Sequence, residues 1–132
     1  MRKRKYLILI FVAALLLSAC SRHISSYKAI GLKAESSNDH CSVQFRSLTG
    51  RYVLQTKKTG SSEGTISYSI QLEEGEINIY YDALGVKELL CSAKAGAPVT
   101  GVGGYVERGK RIYIIIETVT PARGSVTVDI VG

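Results

Sequence analysis

Few side chains in this 132-residue chain are of types that make and break bonds. The histidines are His23 and His40, and the cysteines are Cys20, Cys41 and Cys91. His40 and Cys41 are adjacent, which suggests a thiol–imidazole pair. Such a pair needs the two groups side by side and a third group to orient the base. Neighbours on a strand point to opposite faces, so adjacency in sequence works against it. A serine hydrolase lacks its base, and no Gly-x-Ser-x-Gly elbow is present. Glu73, Glu74 and Glu76 crowd one short stretch instead of facing each other across a cleft, as glycosidase carboxylates do. Gly101-Val102-Gly103-Gly104 is followed by Tyr105-Val106, a strand-like pair, whereas a phosphate loop opens a helix. Two isolated cysteines lack the paired spacing of zinc ligands. These patterns predict no catalytic residue, no metal site and no cofactor.

Cys20 stands apart. Arg2, Lys3, Arg4 and Lys5 form a basic cluster, and an apolar run follows from Tyr6 through Leu17. Ser18 and Ala19 are small, and Cys20 comes next. A basic start, an apolar stretch and small residues at the end are the parts of an export signal. The run is shorter than the ~20 apolar residues that span a bilayer. An ordinary signal peptide with an incidental cysteine, or a short N-terminal anchor, shares part of this pattern. Leu17-Ser18-Ala19-Cys20 resembles the lipobox of bacterial lipoproteins. The resemblance implies cleavage before Cys20 and lipidation of its thiol. It also implies a lipid-anchored protein facing the extracytoplasmic side of the cell membrane or the outer membrane. Ser21 follows the cysteine where Asp would be a retention signal; in a two-membrane cell this implies the outer membrane. Several acyl chains, at ~0.8 kcal/mol per buried CH₂, hold where one chain binds reversibly.

Removing residues 1–19 leaves 113 of the 132 residues, enough for one domain. Four of the 17 basic residues leave with the signal and none of the 11 acidic ones, so the formal charge falls from +6 to +2. That balance removes the case for a nucleic-acid partner, which requires a concentrated basic face. With Cys20 acylated, Cys41 and Cys91 remain. In an exported chain they read as one disulfide, worth roughly 4 kcal/mol by loop entropy; the alternative is two free buried thiols.

The elements that position these residues read as strands. Residues 20–40 are Ser-rich and weakly patterned, which predicts a lipidated tether. The domain is expected over residues 41–132. Val43 and Phe45 alternate with polar residues, and so do Tyr52, Leu54 and Thr56 after a break at Gly50. Thr65–Leu72 and Ile77–Tyr81 alternate cleanly and are predicted to pair across a hairpin turn at Glu73-Glu74-Gly75. Val86–Ala93 is a further strand. Ala95–Gly104 is predicted as loop or bulge. The continuous run Ile112–Ile116 predicts a central strand covered on both faces. A turn at Thr120–Gly124 then leads to a last alternating strand, Ser125–Ile130. Seven or eight short strands with short connections predict an all-β chain, a single antiparallel β-sandwich of jelly-roll type.

Tyr52, Tyr80, Tyr105 and Tyr113 form the candidate binding face, since aromatic rings stack on sugars and β-sandwiches often carry carbohydrate sites; tyrosine also simply favours strands. The expectation is a non-enzymatic, lipid-anchored envelope module, with binding or structural work as its role. Its partners are the membrane through Cys20 and an envelope protein or glycan. The alternatives are a carbohydrate-binding surface module, and an inhibitor of an envelope hydrolase that presents the Gly96–Gly104 loop.

Overall fold

The computed structural model describes residues 23–132; the lipobox and Cys20 lie outside them. Seven antiparallel strands form one sheet. They are β1 (Ser26–Ile30), β2 (Lys33–Ser37), β3 (His40–Lys57), β4 (Gly64–Asp82), β5 (Glu88–Lys94), β6 (Val99–Val106) and β7 (Arg111–Val131). The order is β1-β3-β7-β4-β5, with β2 also on β3 and β6 also on β4. The apolar run of β7 lies at the centre, as its pattern predicts. Ile112, Ile114 and Ile116 face the core, and Ile115, on the other face, is equally buried.

Three strands are far longer than the usual five or six residues, because each is two strands joined through a bend. Residues 40–45 of β3 and 122–131 of β7 pair with each other beside β2, and residues 64–72 of β4 add β6. Past the bend, residues 51–57 of β3, 111–117 of β7 and 77–82 of β4 continue the pairing, now between β1 and β5. The bends share one transverse line. Register shifts fall between Phe45 and Arg51 on β3 and between Leu72 and Ile77 on β4. On the flanks the β1–β2 corner at Gly31 and the β5–β6 corner at Gly96 lie at the same level. The sheet is thus folded double along a crease, and its two five-stranded layers enclose one core. This is a β-sandwich made by bending.

Alternation shows how one face stays buried through the crease. On β3 the core takes Cys41, Val43 and Phe45, then Leu48, Leu54 and Thr56, so the parity changes from odd to even. On β4 it takes Ile66, Ile70 and Leu72, then Ile77 and Ile79, and the parity changes from even to odd. A bulge adds one residue and turns the pattern over, which without it would send every following apolar side chain to solvent. Gly75 is one of the close approaches at the crease. Its φ is +86°, and a Cβ there would stand 2.2 Å from the Pro121 carbonyl oxygen.

Several expected turns are therefore bends. Glu73-Glu74-Gly75 is not a hairpin, and the segments on either side pair with β7 instead of each other. The Thr120–Gly124 turn lies inside β7, and the break at Gly50 lies inside β3. Within the tether predicted over residues 20–40, residues 26–30 and 33–37 instead dock on β3 as edge strands β1 and β2. Their side chains are mostly exposed, so the pairing is carried by backbone and leaves no apolar period. The expected loop or bulge over Ala95–Gly104 is largely strand β6, paired with β4. At Gly101 a Cβ would lie 2.5 Å from the Tyr68 hydroxyl, so a side chain there would have to push the Tyr68 ring aside.

Opposite the crease is an open end, where the loops gather. Asp39, at φ 61°, is locked there: its N–H donates to the Lys57 carbonyl at 3.0 Å, and its carbonyl accepts from Ile130 N–H at 2.8 Å. Thr59 donates to the Asp39 carboxylate from both its N–H and its hydroxyl. These donors lower the Asp39 pKa, and the hydroxyl contributes most.

Candidate functional site

The four tyrosines do not share a face. Tyr80 and Tyr113 lie on the outer side of the layer that contains β1 and β5, flanking the buried Ile115. Tyr52 pairs in register with Ile116, packs against the core, and meets Tyr27 edge-on at 4.9 Å. Burial, then Tyr27, raises its pKa. Tyr105 sits at the open end of the other layer, where a hydrogen bond to Glu63 pushes its pKa up to about 12.

The two tyrosines that do share a face are occupied by their own chain. His23 packs against Tyr113 with the rings tilted 57° and their centroids 5.2 Å apart. Its Nε2 pairs with Asp82 Oδ2 at 2.7 Å, and both side chains are nearly buried. Asp82 Oδ1 accepts the Gly85 N–H at 2.6 Å, so this carboxylate is fully engaged. Lys87 places its ammonium 4.4 Å above the Tyr80 ring and reaches Glu117 Oε1 at 2.6 Å. A sugar stacking on either ring would first have to displace a cation or an imidazole.

A groove of about 580 Å³ lies instead along the outer side of the crease. Its floor is a row of outward residues on three adjacent strands: Gln44 of β3, Ser125 of β7 and Gln71 of β4. Lys33 of β2 extends that row at one side, opposite Gln44. Arg46, Arg123 and Glu73 form the wall nearest the bend. Arg123 Nε pairs with Glu73 Oε2 at 2.9 Å. Lys33 and Arg46 enter no ion pair among the described residues, which leaves the groove with a surplus of positive charge. Strands set these side chains, so their spacing is that of the sheet: about 4.8 Å between neighbours in the row. The Arg46 stem lies across the β1–β2 corner, where Gly31 leaves room for it.

Such a row can donate and accept hydrogen bonds at strand intervals and can neutralise a carboxylate or sulfate at one end. None of these residues is legible as a site in sequence. They are isolated outward positions of separate strands, and only the register across the bend brings them together. Arg123 was hidden further, because it sits in what reads as a turn.

The remaining sulfur and imidazole groups are dispersed. Cys41 and Cys91 are free thiols, which corrects the expected disulfide. Cys41 is on β3 in one layer and Cys91 on β5 in the other, three strand positions away in sheet order. At about 4.8 Å per strand that is about 14 Å of lateral offset, against the ~7 Å limit between Cα atoms of a bridged pair. Burial pushes the Cys41 pKa up to about 12 and the Cys91 pKa up to about 11. His40 points away from Cys41 and pairs with Asp129 Oδ1 at 2.7 Å on an exposed surface. Glu73 ends in the groove wall, and Glu74 and Glu76 lie in the β4 bend. Among the described residues no three His, Cys, Asp or Glu side chains gather as a metal site.

No family model matches the chain, and no curated protein does. Solved structures with some likeness include a variant of a family 29 carbohydrate-binding module (12% identity, TM-score 0.40), covering 80% of this chain and 72% of that one. Another is the C-terminal family 6 module of LamC, a laminarinase from Zobellia galactanivorans (8%, 0.43), covering 77% and 90%. A third is a family 4 carbohydrate-binding module (9%, 0.41), covering 80% and 76%. The sandwich assignment rests on the strand pairing and shared core described above.

Proposed function

We propose that this chain is a non-catalytic module, anchored by lipid on Cys20 to the extracytoplasmic side of a membrane, that binds an acidic glycan in the crease groove. One observation carries the reading. Amide, hydroxyl and cationic side chains from four strands line a concave polar row whose positive charge exceeds its negative charge. Gln44, Gln71 and Ser125 pair with sugar hydroxyls, and Lys33 and Arg46 take the acid group. Arg123 is held by Glu73 and shapes the wall. Recognition of this kind relies on preorganised hydrogen bonds more than on stacking, in keeping with occupied rings at Tyr80 and Tyr113.

The test is a glycan array probed with the processed, acylated protein in detergent. Binding confined to carboxylated or sulfated oligosaccharides is the expected result. Arg46→Ala should weaken it at least tenfold, about 1.4 kcal/mol. An array without signal, or one in which neutral sugars bind equally well, would reject the acidic-glycan reading.

A further inference from the structure

We infer that the open end of the sandwich rests on the lipid surface through the loop between β4 and β5. The inference builds on the lipid anchor proposed above. His23, the first described residue, is fixed at the open end by Asp82 and Tyr113. Only Ser21 and Arg22 separate it from Cys20. Three residue steps span at most about 11 Å even when fully extended. The acylated thiol therefore cannot stray far from Asp82, and Asp82 is where the loop begins.

That loop carries an apolar surface without cover. Leu84 is 63% exposed and Val86 61%, and Leu89 at the start of β5 is 58% exposed. Ile24, next to His23, is 58% exposed. Single exposed apolar residues are ordinary, but three within six positions of one loop, Leu84, Val86 and Leu89, call for a partner. The covalent reach of the anchor selects which one: lipid lies within about 11 Å whenever the anchor is seated. Apolar side chains dip into the boundary between headgroups and acyl chains. The crease groove lies at the opposite end of the strands, so this seating turns it away from the membrane.

The chain contains no Trp, so a single introduced Trp reports cleanly. Val86→Trp and Leu84→Trp probe the loop, and Ala97→Trp probes the crease. Each processed protein is reconstituted in phosphatidylglycerol–phosphatidylethanolamine vesicles, with and without brominated acyl chains. Flotation and the N-terminal mass are measured on the same samples. The expected result is flotation with acyl mass on Cys20, strong quenching and a blue shift at positions 84 and 86, and neither at 97. Flotation with all three positions unquenched would overturn the seating and leave the anchor standing. Failure to float, with no acyl mass on Cys20, would overturn both.

Discussion

At the crease, five strand paths turn through bulges and glycines, and the side chains that point outward are Gln44, Gln71, Ser125, Lys33 and Arg46. At the open end the strands stop in loops, and Leu84, Val86 and Leu89 stand in the open. The same strands supply both ends. Continuity explains the difference: at the crease the pairing is carried through, so the outward residues keep fixed spacing and can form a polar recognition row. At the open end a network of local bonds around Asp39 and Asp82 holds each loop, and the tips are free to carry apolar residues toward a surface.

The contrast breaks most violently at Gly75. Gly75→Val forces a side chain against the Pro121 carbonyl in a left-handed conformation, and should cost about 3 kcal/mol or more, or prevent folding. Urea unfolding measures it. A nearly unchanged midpoint would mean that the bend relaxes freely.

The two His–Asp pairs sharpen the comparison, since both measure 2.7 Å. His23→Ala strips the partner from a carboxylate only 4% exposed and should cost about 1–3 kcal/mol. His40→Ala acts on a pair with a 33% exposed imidazole and a 52% exposed carboxylate, and should cost less than about 0.5 kcal/mol. Equal losses would show that burial does not set the value of the latch.

Groove substitutions should separate function from stability. Gln71→Ala and Arg46→Ala should leave the unfolding midpoint within about 0.5 kcal/mol of the parent while binding falls. A fall in both together would make the groove part of the scaffold.

The smallest effect concerns the thiols. With its pKa raised from 9.0 to about 11, Cys91 presents about a hundredfold less thiolate at pH 8 than an unperturbed thiol and should alkylate correspondingly slowly. The rate should rise about tenfold per pH unit up to that pKa. Cys41, with its pKa near 12 and no exposure, should react only on unfolding. Rapid formation of a bond between them on mild oxidation would contradict their separation in the sheet.

Much of the fold is legible in the residues. The alternation of Thr65–Leu72, Ile77–Tyr81 and Ser125–Ile130 marks strands with one buried face, and the unbroken Ile112–Ile116 run marks the centre of the sheet. The crease is not legible, and the reason is local chemistry. A charged pair followed by glycine, as in Glu73-Glu74-Gly75, suits a hairpin turn and a bulge equally. What separates them is whether a third strand pairs with both flanks, and that partner, β7, lies more than thirty residues away. The β1–β2 edge was missed because edge strands are held by backbone bonds that leave no apolar period. The groove inherits both difficulties: its residues are ordinary outward positions until the bend sets them in a row.

Calorimetric titration of the processed, acylated protein with a uronic-acid oligosaccharide tests the central claim most directly. The account predicts saturable one-site binding that Lys33→Ala combined with Arg46→Ala abolishes, that Tyr80→Ala leaves intact, and that weakens as salt rises. Binding that disappears with Tyr80→Ala but survives loss of both cations would contradict it.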